Sequence, residues 1–398
     1  MAENNGKKKE KKWAPRMWQG CILPAWLRLA VKNKFLVHPS KWYIAFNITA
    51  ISALNLALRY LQQGIYGSIP SNTPITQPPV FILGHWRTGT TLLHELLILD
   101  PRHNFPNTYQ CLDPSHFLLT EGFFKKYCNF LLPTKRPMDN MEAGWDKPQE
   151  DEFALCMMGL PSPYLGVAFP NNPAPMPQAF EINRLEKREQ QRWKEGFQEF
   201  LAEITFRDRR RLILKSPTHT CRIPTLLELF PDARFIHIVR DPYTLFPSTV
   251  NLWKSLGENH GLQTPSHQQL PEKVFNEFNI LYKAIDRDKQ LIRADRFFEV
   301  RYEDLVKEPM EITRQIYSHL GLGDFEPTRG PVQRYLDSRK DYQTNKYKPL
   351  EPALLEEINR RWGWAIDRYG YPRRNPEAMV PQPPAPSSPF PLLEGVRT

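Results

Sequence analysis

Cysteine is scarce in this chain and shows no pairing pattern. Cys21, Cys111, Cys128, Cys156 and Cys221 are odd in number, scattered, and without a CxxC spacing. That excludes a disulfide framework and a cysteine zinc site and points to a reducing compartment. A secretory signal is also lacking: "MAENNGKKKEKK" is followed by no clean apolar run and no small-residue cleavage site, so a cytoplasmic protein is expected. Net charge is small beyond the amino terminus. Residues 1 to 41 hold ten Lys or Arg against two Glu, and the remaining 357 residues carry only +2 of the formal +10. A nucleic-acid-binding domain keeps its basic patch on the folded body, so that class is set aside. There is no internal repeat and no comfortable membrane span. The ambiguous stretch, "WYIAFNITAISALNLAL" (residues 42 to 58), has 17 residues and contains Asn47, Thr49, Ser52 and Asn55. It is expected to pack on the domain or to lie on a membrane surface, where the ten preceding cations would attract anionic lipid.

Proline is abundant. Its 39 copies are about twice the usual share and sit in loops and in the carboxyl-terminal tail. Between the loops, short apolar runs alternate with helical patterns. "VFILG" (80 to 84), "RLILK" (211 to 215), "RFIHIV" (234 to 239) and "FFEVRY" (297 to 302) read as strands, and helices fit "TTLLHELLIL", "TLLELF", "LFPSTVNLWKSL" and "EITRQIYSHLGL". This alternation predicts an α/β fold with a central parallel sheet flanked by helices and right-handed crossovers. About 110 residues rich in Pro, Met and aromatics separate the first two strands. They are expected to form helical and irregular insertions and to build an acceptor pocket. The expected organisation is a basic arm with apolar helices over 1–70, a catalytic domain over 71–375, and a Pro-rich tail over 376–398.

The segment "FILGHWRTGTT" (81 to 91) has the GxxxxG spacing of a phosphate-binding loop at Gly84 and Gly89, but the lysine expected after the second glycine is Thr90. A loop that leads from a strand into a helix still presents amides and the positive end of a dipole to an anion. Thr90 and Thr91 add hydroxyls, and Arg87 adds a fork for two oxygens of one phosphate. A γ phosphate with Mg²⁺ would want the missing lysine and an acidic strand end, whereas "RFIHIV" runs into Arg240. The features fit a nucleotide with a compact 5′ diphosphate-like group and no metal.

At these residues the chain resembles the sulfotransferase family, over roughly residues 79 to 370. "FILGHWRTGTTLLHELL" is similar to the family's 5′-phosphosulfate loop, and "IHIVRDPYTLFPST" to its 3′-phosphate motif, with Arg240 and Ser248 in the arginine and serine positions. "RYEDLVKEP" resembles a segment that places a tyrosine, here Tyr302, near the adenine. "LKSPTH" resembles the strand end that carries a catalytic lysine, here Lys215. The resemblance implies a fold related to P-loop kinases, the cofactor 3′-phosphoadenosine 5′-phosphosulfate, and transfer of its sulfuryl group to a hydroxyl or amine. It is to the broad bacterial-type branch rather than to the cytosolic animal enzymes. It implies loop contacts from Arg87, Thr88, Gly89, Thr90 and Thr91, a 3′-phosphate site at Arg240 and Ser248, and a basic cover from Arg339, Lys340 and Lys346. A small-molecule, carbohydrate or lipid acceptor is implied but not identified, and the oligomeric state is left open. A P-loop kinase or nucleotide hydrolase and a non-catalytic membrane-associated scaffold are the competing readings.

Sulfuryl transfer moves less charge than phosphoryl transfer, so side-chain cations can stabilise an in-line displacement. Arg87 and Lys215 are expected to take that role. The expected proton acceptor is His219, four residues past Lys215, with the acidic run Glu150, Asp151 and Glu152 as the rival and Glu152 as its leading carboxylate. His94 and His116 read as packed structural residues, and "RRWGWAIDRYGY" as a helix-periodic packing face.

Overall fold

The structure is a computed structural model that describes residues 16–132, 143–172, 179–339 and 349–375. The lysine run, the Pro-rich tail, Lys340 and Lys346 lie outside the described residues. The chain divides into two compact units, residues 1–347 and 348–398.

Five parallel strands form one sheet: β1 (Val80–Gly84), β2 (His103–Asn104), β3 (Arg211–Lys215), β4 (Arg234–Val239) and β5 (Phe297–Arg301), in the order β2-β3-β1-β4-β5. Four of them are the apolar runs legible in the sequence. The two-residue β2 is too short to carry a pattern. Because strand side chains alternate, each apolar run feeds two cores at once. Val80, Ile82, Ile213, Ile236, Ile238 and Val300 face one core. Phe81, Leu83, Leu212, Leu214 and Phe235 face the other.

The helices of the first unit, in chain order, are α1 (Leu23–Lys32), α2 (Trp42–Tyr66), α3 (Thr90–Leu97), α4 (Thr108–Leu112), α5 (Phe117–Tyr127), α6 (Asp151–Met157), α7 (Lys187–Arg207), α8 (Ile223–Leu229), α9 (Pro242–His260), α10 (Leu270–Asp288), α11 (Tyr302–Lys307), α12 (Pro309–Leu320) and α13 (Glu326–Ser338). Helix α3 with α12 and α13 covers the first core, while α7 and α8 cover the second through Trp193, Phe197, Phe200, Ile223 and Leu226. Strand β1 is central, and the chain leaves it towards β3 on one side and β4 on the other. The carboxyl end of β1 is therefore the place where such sheets open a crevice for ligands. In the second unit, α14 (Pro352–Arg368) carries Leu355, Ile358, Trp362 and Ile366 at helical spacing, and Arg373 Nε donates to Asp367 at 2.8 Å.

Residues 16 to 66 fold against the first unit. Trp18 donates its indole N–H to the His260 carbonyl at 2.7 Å. The pivot is Asn55, whose amide donates to the carbonyls of Gln19 (2.7 Å) and Cys21 (3.1 Å) while its oxygen meets His116 Nε2 at 3.2 Å. One side chain thus ties α2 to the turn before α1 and to the start of α5. Asn55→Ala leaves two carbonyls and one ring nitrogen unpartnered, and each orphaned buried group costs about 1–3 kcal/mol. Urea unfolding should show a loss of that order at an unchanged slope, and an unaltered midpoint would refute this role.

Candidate functional site

The loop after β1 is shaped by three backbone constraints. Gly84 has φ of +146°, and a Cβ there would stand 2.6 Å from the Ile238 carbonyl oxygen and 2.8 Å from Thr88 Oγ1. Arg87 is held in the left-handed region at φ 72°. Gly89, at φ 100°, caps α3 where a Cβ would collide with the Tyr302 ring at 2.3 Å. Only glycine lets the loop pass this close to its neighbours. Thr88 closes the turn, donating from Oγ1 to the His85 carbonyl at 2.7 Å, and Thr220 clamps the strand end, its hydroxyl accepting from Gly84 N at 2.9 Å and donating to the Gly84 carbonyl at 3.2 Å. The first-turn amides of α3, at Thr90 and Thr91, have no carbonyl one turn earlier and form the positive end of the helix.

Around this loop the fold gathers the cations expected from the sequence. Arg87 Nε donates to Ser248 Oγ at 3.0 Å, and Arg240 donates to the Arg87 carbonyl at 2.8 Å. The Arg240 guanidinium lies 4.2 Å above the Tyr302 ring centroid. Four segments contribute: the loop, the end of β4, helix α9 and the start of α11. Asp241 secures the assembly, capping α9 through Tyr243 N at 3.0 Å while its own amide donates to Glu303 at 3.1 Å. Arg339, at the end of α13, pairs with Glu95 of α3 at 3.4 Å. It therefore lies beside the helix that the loop begins.

On the other side of β1, strand β3 ends in Lys215. Its ammonium donates to Glu150 Oε1 at 2.9 Å, and the two side chains are 2% and 12% exposed. The second oxygen of Glu150 accepts from the Tyr164 hydroxyl at 2.5 Å, which in turn accepts the Trp86 indole N–H at 2.7 Å. Burial, reinforced by the facing Glu150 carboxylate, raises the Tyr164 hydroxyl well above the ordinary phenol range, so it stays a donor. Trp86 belongs to the loop itself. A relay therefore runs from the loop through Tyr164 to a carboxylate that touches Lys215. Trp253 and Phe180 pack on Trp86 at ring separations of 5.1 and 6.0 Å, and Phe153 stacks on Tyr164 at 4.7 Å. The pair thus lies beside an aromatic wall.

Two expectations are corrected by burial. His219 has no exposed surface. Its Nε2 lies 2.6 Å from Asp151 Oδ2, and its ring is packed between Phe81 and Phe197. Glu152 is equally sealed, with both oxygens on the Arg222 guanidinium at 2.5 and 3.0 Å and a third bond from Thr218 Oγ1 at 2.9 Å. Neither can meet an acceptor hydroxyl without dismantling the core. Burial alone would raise the Asp151 carboxyl, but the His219 ring and the Ser216 hydroxyl together hold it below its ordinary range. Ser216 Oγ donates to Asp151 at 3.0 Å and accepts from Glu152 N at 3.1 Å, so it caps α6 from across the site. Of the acidic run, only Glu150 keeps some exposure and meets Lys215. Glu150 is the N-cap residue, and its side chain, which makes no cap bond, is turned to Lys215. His94 is fully buried edge-on to Phe105, pushed down to about 3 by burial and by Lys215. His116 is held between Thr120 and Asn55.

Residues 78–327 match the family model described as the sulfotransferase family. The omega-hydroxy-beta-dihydromenaquinone-9 sulfotransferases Stf3 of Mycobacterium bovis and Mycobacterium tuberculosis are each 47% identical over 367 residues, covering 92% of this chain and 94% of theirs. Among solved structures, sulfotransferase STF9 from Mycobacterium avium superposes with a TM-score of 0.65 at 20% identity, covering 88% of this chain and 97% of that one. STF1 from Mycobacterium tuberculosis gives 0.59 at 18% identity, covering 85% and 90%. These two likenesses concern the fold.

The sealed Arg222–Glu152 pair makes a separable prediction. Arg222→Met leaves a buried carboxylate with one hydroxyl partner and should cost about 3–5 kcal/mol in chemical unfolding. The double variant Arg222→Met, Glu152→Leu removes both charges and should recover most of that loss. If the double variant is as unstable as the single one, the pair is not what holds these segments together.

Proposed function

The chain belongs to the sulfotransferase family, and from that premise we propose that it moves the sulfuryl group of 3′-phosphoadenosine 5′-phosphosulfate to a hydroxyl of an apolar, lipid-like acceptor, with Glu150 as proton acceptor. Membership sets aside the phosphoryl-transfer reading that the glycine loop left open. The observation that carries the assignment is the Lys215–Glu150 pair, joined to the loop through Tyr164 and Trp86.

The residues suit the proposed donor. Gly84 and Gly89 let the loop pack against Ile238 and Tyr302, which fixes the course of its backbone. Arg87, Arg240 and Ser248 bring two guanidinium groups and a hydroxyl together, and Tyr302 offers a ring face beside them. Arg87 and the α3 amides would hold the 5′ phosphate, Arg240 and Ser248 the 3′ phosphate, and Arg339 would close over it. When bound, the donor supplies the sulfuryl group, and its 5′ phosphate takes up the charge released by S–O cleavage. Everything else is asked of the chain. Glu150 already accepts two hydrogen bonds, yet a carboxylate has about four acceptor sites, so capacity remains for an acceptor hydroxyl. Lys215 fixes the carboxylate and brings a positive charge to the same edge of the sheet. A fixed donor of this kind contributes about 2.7–4 kcal/mol in comparable sites where negative charge develops.

The aromatic wall of Trp86, Tyr164, Phe180 and Trp253 favours an apolar body behind the reacting hydroxyl. The Stf3 relatives are named for an omega-hydroxylated menaquinone, and a hydroxylated isoprenoid quinone is accordingly the proposed acceptor class.

Labelled-sulfate transfer to a hydroxylated isoprenoid quinone should exceed transfer to sugars and simple phenols, and preferential sulfation of sugars would overturn the acceptor assignment. Glu150→Gln preserves shape and removes the base, so kcat should fall by about 10²–10⁴ with little change in affinity for adenosine 3′,5′-bisphosphate. Retention of most of kcat would return the proton acceptor to an open question. Arg240→Ala should weaken adenosine 3′,5′-bisphosphate by about 1.5–3 kcal/mol and 5′-AMP much less, because the lost charge-assisted bonds are to the 3′ phosphate. Calorimetry reads the difference, and equal losses would remove Arg240 from that role.

A further inference from the structure

Helix α2 is inverted. Its buried positions include Ser52, Asn55 and Gln62, whose polar groups are bonded within the protein, whereas Tyr43 (69% exposed), Phe46 (77%), Leu54 (57%), Leu61 and Ile65 face outward. A helix of a water-soluble surface does the reverse. The outward residues form one stripe at three- and four-residue spacing, about 37 Å long for 25 residues. Neighbouring segments extend it. Phe123, Tyr127 and Phe130 are exposed at the end of α5, and Phe35 and Leu36 at the turn after α1. In that turn Lys34 and Phe35 are both left-handed (φ 52° and 51°), a costly backbone for two non-glycine residues that nonetheless presents apolar side chains to the outside.

We propose that this face docks on the surface of an anionic phospholipid bilayer, with α2 lying in the interface plane. Charge chooses the occupant: residues 16 to 66 contain six Lys or Arg and no Asp or Glu, and each cation near an anionic surface contributes about 1 kcal/mol. Trp42, Tyr43 and Tyr60 are amphipathic rings of the kind that settle at the headgroup level. Although α2 is long and apolar enough to cross a bilayer, its opposite face is bonded to the protein along most of its length, from Thr49 through Asn55 to Tyr66. Lipid cannot surround it, so it lies on the membrane and does not span it. The turn after α1 is tied by hydrogen bonds to the segment that follows Tyr164. Gln263 donates to the Leu36 carbonyl at 2.9 Å, His38 N to the Leu262 carbonyl at 2.9 Å, and Leu262 N to the Ala168 carbonyl, four residues past Tyr164. The docking itself rests on the helix face and stands apart from the acceptor assignment.

The test is flotation of the full chain with phosphatidylcholine vesicles, with and without phosphatidylglycerol, compared with the variant Phe35→Glu, Phe46→Glu, Leu54→Glu. None of these residues belongs to the proposed catalytic machinery, so the variant should melt as wild type and sulfate a water-soluble short-chain acceptor at the wild-type rate. Wild type should bind the anionic vesicles at least tenfold more tightly than the variant does, and salt should weaken that binding. If the three glutamates disturb folding, Phe46→Gln alone should still bind severalfold less tightly. Equal flotation of wild type and variants overturns the proposal. So does a wild-type dimer that the substitutions dissociate while wild type ignores vesicles, since a second copy would then cover the face. Vesicle binding as expected together with preferential sulfation of sugars would support the docking and refute the acceptor assignment alone.

Discussion

The constraint on which the site depends is a buried lacing between two segments, 150–152 and 215–222. Four side chains from the second segment, those of Ser216, Thr218, His219 and Arg222, engage Asp151 and Glu152. All six residues are fully buried, and each charge has an opposite partner or hydrogen bonds to satisfy it. The consequence is positional. With the next two acids anchored, Glu150 is held against Lys215, and the same lacing begins one residue past Lys215. The Lys215–Glu150 contact of 2.9 Å is the least buried end of this lacing. Removing a member of the lacing would loosen the pair even though it never touches substrate.

The arginine inside the loop answers a problem set by the missing lysine. In the left-handed conformation at Arg87, the side chain runs to Ser248 while its carbonyl accepts from Arg240. One residue of constrained backbone thereby couples the loop to the strand end beyond it. The glycines at 84 and 89 make that packing possible, and Tyr302 fills the space that a side chain at 89 would need. Cations converge where the kinase arrangement would bring a lysine and a metal. That suits a transfer with less charge to neutralise.

Tryptophan 86 links this electrostatic half of the site to its apolar half. It sits in the loop, donates to Tyr164, and presents its ring to Phe180 and Trp253. The insertion between β1 and β3 therefore has two tasks. It supplies Glu150 and Tyr164, and it adds Phe153 and Phe180 to the aromatic cluster around Trp86. The exposed apolar face of α2 continues the theme on the outer surface, where inward polar side chains serve only to bolt the helix down.

The sequence by itself determined the sheet, because a five-residue apolar run between turn residues has few alternatives to a buried parallel strand. It also singled out the glycine loop, the cations Arg87, Lys215 and Arg240 and the hydroxyl of Ser248 as candidates, since these follow strand ends and turns at fixed offsets. The tertiary structure decided what local pattern cannot carry. Three consecutive acids look alike in a sequence, and which one reaches the cavity depends on what lies against each of them: a guanidinium for Glu152, an imidazole for Asp151, a lysine for Glu150. His219 stood out by its distance from Lys215 along the chain, but residue spacing does not report burial, and its ring turned inward between two phenylalanines. Tyr164 gave no sequence signal, because its role exists only where a distant turn meets the loop. The face of α2 was hidden for the same reason: a helix with both polar and apolar residues does not reveal which side the protein will take.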